Sequence, residues 1–142
     1  MVNVFARLML SALLVAAASA SGTAATLRYA PESDALTLDP HGALVARTQM
    51  VQGWIYEGLV RFDREMRVRP ALAESYARTA PDTWRFRLRA ARFHDGTMMT
   101  ADDVVFSVQR ALSPRSAVRV LFTSVKEARK GDDSTVDIVT HV

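Results

Sequence analysis

His94 and Asp95 stand side by side in the run Phe93-His94-Asp95-Gly96, and a carboxylate beside an imidazole is the pairing that orients a general base. Adjacent residues in a tight turn point in different directions, however, and no motif places a serine as their nucleophile. A Gly-x-Ser-x-Gly elbow, a His-Glu-x-x-His helix and a phosphate-binding loop are all missing from the chain. His41, His94 and His141 are scattered, so ligating a metal would need long-range assembly, and no metal is expected. Asp102 and Asp103 could be imagined as an acid/base pair, but a position at the start of a helix accounts for both. Met98 and Met99 read as gap filling beside a core helix. Trp54, at helical spacing from Met50 and Val51, reads as core rather than as a stacking platform. The chain has no cysteine, which excludes disulfides, thiolate nucleophiles, Cys-ligated zinc and a lipid-modified N-terminal cysteine. No catalytic residue and no cofactor is read from these residues.

The elements around those residues are better specified than any chemistry. In Phe93 to Arg110, Asp95-Gly96 is a turn dipeptide, because glycine reaches positive φ freely and the aspartate side chain accepts from nearby backbone donors. Thr100 is placed as an N-cap, with Asp102 and Asp103 on the positive end of the helix dipole. Ala101, Val104, Val105, Val108, Ala111 and Leu112 then recur at helical spacing and predict one apolar stripe. Arg110 falls in the last turn, where a cation suits the carbonyl end, and Pro114 stops the run.

Upstream, residues 1–25 read as a secretory signal: Arg7 supplies the positive segment, Leu8 to Ala18 the apolar core, and Ala18-Ser19-Ala20 a small-residue cleavage site. Cleavage falls after Ala20 or after Ala25, and no stable membrane insertion is expected once the segment is removed. Leu27 to Ala30 reads as a short strand. Leu38-Asp39-Pro40-His41 is a rigid corner, since proline fixes its own φ and pushes Asp39 toward extended geometry. Val45 to Glu57 predicts an amphipathic helix burying Met50, Val51, Trp54 and Ile55, with Gly58 closing it. Leu59 to Phe62 reads as a strand, Asp63 to Met66 as a charged turn, and Pro70 as the first position of a short helix over Ala71 to Glu74. Tyr76 to Thr79 and Thr83 to Arg89 predict a hairpin around Ala80-Pro81-Asp82, with Trp84, Phe86 and Leu88 buried and Arg85, Arg87 and Arg89 on the solvated face. Arg115 to Phe122 is a connector, and Ser124 to Ala128 and Thr135 to Thr140 read as strands flanking a turn at Lys130 to Asp133.

The 142 residues, 49% hydrophobic and 23% charged, suit one globular unit. The formal charge of +3 is interspersed, so no nucleic-acid partner is read from it.

Four stretches together, Glu57-Gly58-Leu59-Val60, Pro70 to Ser75, Trp84 to Arg89 and Phe93 to Arg110, resemble in order and spacing the extracytoplasmic solute-binding proteins of peptide and nickel ABC importers, family 5. The resemblance implies an α/β chain of the type II periplasmic binding protein-like class. It implies that only the opening of lobe I, residues 26–56, and an incomplete accessory α/β domain, residues 57–142, are present in a truncated product. Such a protein captures an oligopeptide or similar small solute in the periplasm and presents it to an ABC permease and its ATPase subunits, without performing a reaction. The loop after Asp-Pro-His lines the cleft in the family, which maps onto His41, Gly42, Leu44, Ala46 and Arg47. The chain departs from the family pattern at Leu88 to Phe93, which is a residue short and lacks the customary glycine, at Met98, where proline is frequent, and at Tyr76, where tryptophan is. The rival readings are a ligand-sensing or interaction module and a secreted hydrolase on the same lobes.

Overall fold

The structure, a computed structural model, describes residues 33–141 together with Thr26, Arg28 and Ala30. The signal segment lies outside the described residues, as do Leu27 and Tyr29 of the strand expected at Leu27 to Ala30, while Arg28 and Ala30 are in no strand. The chain divides into two units, residues 1–32 and residues 33–142, and all the elements below belong to the second.

In chain order these are helix α1 (Ala46–Gln52), strands β1 (Val60–Phe62), β2 (Val68–Pro70), β3 (Ala73–Ala80) and β4 (Thr83–Leu88), helix α2 (Ala101–Leu112), a 3₁₀ turn (Arg119–Phe122), and strands β5 (Val125–Asp132) and β6 (Thr135–Thr140). β1 and β2 form a small antiparallel ribbon, and the other four strands make an antiparallel sheet in the order β3-β4-β6-β5. The mixed α/β class is as expected. α2 lays its stripe on one face of the sheet: Ala101 and Val104 meet Leu88, Ala128 and Val136, flanked by Leu59, Met99, Val105, Val108 and Ile138.

Both ends of α2 are as the residues predict. The Thr100 amide donates to Asp103 Oδ2 at 2.8 Å, closing a capping box. Gly96 takes φ 88°, a conformation that glycine adopts without Cβ strain. β3 and β4 are joined through Pro81 and Asp82, with Tyr76 opposite Phe86 and Ala80 opposite Thr83. On the solvated face the three arginines each meet a carboxylate: Arg85 with Asp137 at 2.7 Å, Arg87 with Glu74 at 2.6 Å and Arg89 with Glu57 at 2.7 Å.

Elsewhere the structure corrects the expectation. α1 ends at Gln52, and Gly53, not Gly58, follows it. The amides of Trp54 and Ile55 turn to the carbonyls three residues back, Val51 and Gln52. That tighter winding takes Trp54 off the apolar stripe and leaves it 68% exposed, not in the core. Pro70 ends β2 opposite Val60 instead of starting a helix. The amides of Ala71, Leu72 and Ala73 donate to the carbonyls of Leu59, Gly58 and Leu59, so the backbone donors that would follow a helix start are engaged across the chain. Trp84 stays 38% exposed, because it lies toward the hairpin end of β4, its ring tilted 49° against that of Tyr76 at a ring-centre distance of 6.2 Å rather than beneath α2. β5 runs on to Asp132, and the turn into β6 is Asp133-Ser134.

Candidate functional site

The corner Asp39-Pro40-His41 is built by short-range hydrogen bonds and then held from two sides. Asp39 accepts from the His41 amide through Oδ1 at 3.0 Å and from the Gly42 amide through its carbonyl at 3.0 Å. This is the local turn that an aspartate before proline favours. The space at Gly42 is tight: an added Cβ would lie 2.9 Å from Thr37 Cγ2. From α1, the buried Gln52 donates its side-chain amide to the Asp39 carbonyl at 2.7 Å, and the buried Thr48 hydroxyl accepts from the Leu36 amide at 3.1 Å. Tyr56 donates its hydroxyl to the Leu38 carbonyl at 3.0 Å.

From the other side comes Arg110, in the last turn of α2. Its two terminal nitrogens donate to the two oxygens of Asp39, both at 2.6 Å, and Nη1 also lies 3.0 Å from His41 Nδ1. The Ala117 amide, beyond the end of α2, donates to the His41 carbonyl at 2.9 Å. Bidentate geometry is the strong form of this pairing. The Arg110 bonds, and after them the His41 amide, hold the Asp39 carboxyl far below the usual carboxylate range. Partial burial, followed by the Arg110 charge, pushes the His41 imidazole below its ordinary value, against the opposing pull of Asp39.

Of the residues assigned to the cleft, His41 and Gly42 belong to this braced corner. Leu44 and Ala46 are exposed on the approach to and at the start of α1, Leu44 by 42%. Arg47 is half-buried, and its side chain donates from Nη1 to the Ser33 carbonyl at 3.4 Å. His41 to Arg47 is therefore a short segment fixed at both ends, with Ala43 buried and Leu44, Val45 and Ala46 toward water between them. Sequence reasoning missed the partners that brace it: Gln52 and Thr48 are not singled out by any pattern, and Arg110 reads only as a cation at the carbonyl end of a helix. The one available signal was the extended, proline-fixed Asp39, a carboxylate with its main chain already committed.

His94 and Asp95 are exposed, and Asp95 is spent on Thr97, accepting from its amide at 2.9 Å and its hydroxyl at 2.7 Å. Hydrogen bonds from Thr97 hold that carboxyl below its ordinary range, an ordinary turn rather than a base. Among the described residues no cluster of three or more histidine or acidic side chains is disposed to hold a metal. No helix among them is long and apolar enough to cross a membrane. A groove of about 790 Å³, largely apolar, opens between α2 and the stretches Ile55 to Val60 and Ala91 to His94, with His41 at its lining.

Residues 67–141 match the family model for bacterial extracellular solute-binding proteins, family 5 Middle. The chain is similar to the periplasmic oligopeptide-binding protein OppA of Escherichia coli K12, 35% identical over 86 residues, 60% of this chain and 16% of that protein. It is similar also to the glutathione-binding protein GsiB of the same strain, 33% identical over 127 residues, 85% of this chain and 24% of that one. The solved structure of Burkholderia pseudomallei OppA superposes with a TM-score of 0.70 and 30% identity over 75% of this chain and 24% of its own. The chain thus spans a quarter or less of the length of these relatives.

Proposed function

The chain belongs to the family 5 bacterial extracellular solute-binding proteins, and from that premise we propose that it is part of the substrate-binding component of an ABC importer, capturing an oligopeptide or similar small solute in the periplasm. The solute passes to a membrane permease driven by its ATPase subunits, and no bond of the solute is made or broken. In this reading residues 1–25 direct export, residues 26–56 open the first ligand-binding lobe, and residues 57–142 form the accessory domain beside it. The observation that carries the proposal is the family match itself, which takes in β2 through β6 and α2.

Capture of this kind works by closing lobes over a solute and excluding water. His41, Gly42, Leu44, Ala46 and Arg47 supply the wall on this side. Leu44 and Ala46 offer apolar surface to side chains of the solute, and Arg47 offers a guanidinium, with five N–H donors in all, to a carboxylate or carbonyl. What supports the assignment is the shape of the segment: fixed at His41 and at Thr48, it presents these groups without needing to be ordered by the ligand.

The test is a chimera in which this chain replaces its aligned 127-residue stretch of GsiB, titrated with glutathione by calorimetry. Binding by a folded chimera, and its loss by about tenfold or more on Leu44→Asp as a carboxylate enters an apolar contact, is the expected result. A folded chimera indifferent to Leu44→Asp removes the cleft assignment, and one that binds no glutathione removes the capture reading.

A further inference from the structure

The segment His41–Arg47 departs from a corner held by three kinds of partner, and only one of them grips side chains. Gln52 and Ala117 meet carbonyls of Asp39 and His41, contacts that any residue at those positions would supply. Arg110 instead takes both carboxylate oxygens of Asp39 at 2.6 Å and places Nη1 3.0 Å from His41 Nδ1. A guanidinium has donors and no acceptor, so His41 Nδ1 must accept and the ring proton must sit on Nε2. One fork thus sets the Asp39 rotamer, the ring orientation and the tautomer of the first residue of the segment.

We propose that Arg110 is a positioning residue for solute binding: anchored on α2, its guanidinium clamps Asp39 and His41 together, fixes the corner from which His41–Arg47 departs, and holds the His41 ring as a neutral Nε2–H donor. The proposal rests on the cleft assignment made above. It ties the accessory part of the chain to the ligand-facing part through two residues 71 positions apart. The clamp acts by preorganisation: a loop already in place when the solute arrives does not spend binding energy on being ordered.

Two measurements test it separately from the capture reading. In the ¹⁵N-labelled 142-residue chain, the His41 ring nitrogens should show the Nε2–H pattern, and the amides of His41, Gly42 and Ala117 should exchange slowly. Arg110→Met should mix the tautomers and speed those three amides by about tenfold or more, as befits loss of a charge-assisted bidentate bond, with β4 and β6 amides unchanged. Arg110→Lys, which keeps the charge but not the fork, should fall between. Wild-type exchange and tautomer in Arg110→Met overturn the clamp, and so does faster exchange spread equally through the sheet, which would make Arg110 a general prop. In the glutathione-binding chimera, Arg110→Met should weaken affinity about tenfold; full affinity there overturns the positioning role even if the clamp exists. A chimera that binds no glutathione with Arg110 intact counts against the capture reading alone, and the spectroscopic arm still decides the clamp.

Discussion

At the scale of single residues, the corner makes a prediction about acid. His41 is held neutral, first by burial and then by the Arg110 charge, below its ordinary value of 6.5. As pH falls past that value the unfolded chain takes up its proton first. The neutral imidazole therefore contributes stability that is complete above about 6.5 and is lost as pH falls toward the folded value. Asp39 acts in the same direction further down: its carboxylate stabilises the fold above the ordinary aspartate range and ceases to as pH falls through its depressed value. Because the two side chains of the Arg110–Asp39 pair are 41% and 38% exposed, water and salt screen much of the Coulomb term, and the pair should weaken with added salt. An NMR titration of the ring should find His41 protonating below the range of an exposed histidine, and Arg110→Met should move its midpoint upward, since Asp39 remains to favour the cation. A wild-type midpoint at the ordinary value would contradict the placement of the ring.

At the scale of elements, α2 is the piece whose start should be most sensitive to a single change. Asp103→Ala removes the acceptor of the Thr100 amide and should cost about 1 kcal/mol, read as a lower thermal midpoint. Asp102→Ala loses an exposed contact with Lys130 at 2.7 Å, keeps the capping box, and should shift the midpoint less. Val136→Ala, beneath α2 and fully buried, should cost about 2 kcal/mol through lost apolar contact and a cavity. Equal shifts for Asp102→Ala and Asp103→Ala would show the box to be idle. These elements were legible because their causes are local: a cap, a turn glycine and a 3.6-residue stripe lie within twenty residues of one another, and so do both arms of the β3–β4 hairpin. What misled was also local evidence, overridden from a distance. Pro70 followed by Ala-Leu-Ala is a sound helix start until the carbonyls of Gly58 and Leu59 claim the amides that follow. The Met50 to Ile55 stripe is a sound helix until Gly53, costly in a helix interior, lets the winding tighten. The brace of Arg110 on Asp39 was not legible, because the proline-fixed Asp39 marks a carboxylate in want of a partner but nothing local says which residue, 71 positions away, supplies it.

At the scale of the molecule, the apolar surface carries the last prediction. Phe106 on α2 is 65% exposed, and Val120 and Leu121 on the 3₁₀ turn are 63% and 62% exposed, while the groove beside α2 is largely apolar. One exposed leucine means little, but large side chains on two neighbouring elements together with an apolar groove are the pattern of a surface made to be covered. The relatives of which this chain spans 16% and 24% are several times longer. The 142-residue chain by itself leaves that surface in water, where burial is worth roughly 25 cal/mol per Å². It should therefore bind a hydrophobic dye while keeping its folded sheet, and its sedimentation coefficient should rise with concentration. Phe106→Ser with Leu121→Ser should reduce both effects without lowering the thermal midpoint, since neither side chain is in the core. A wild-type chain that stays monomeric and dye-free at high concentration would mean that the exposed residues are scattered rather than joined into an interface. In that case the sheet and α2 would be self-sufficient, and their link to the loop His41–Arg47 would run through the Arg110 corner and not through packing.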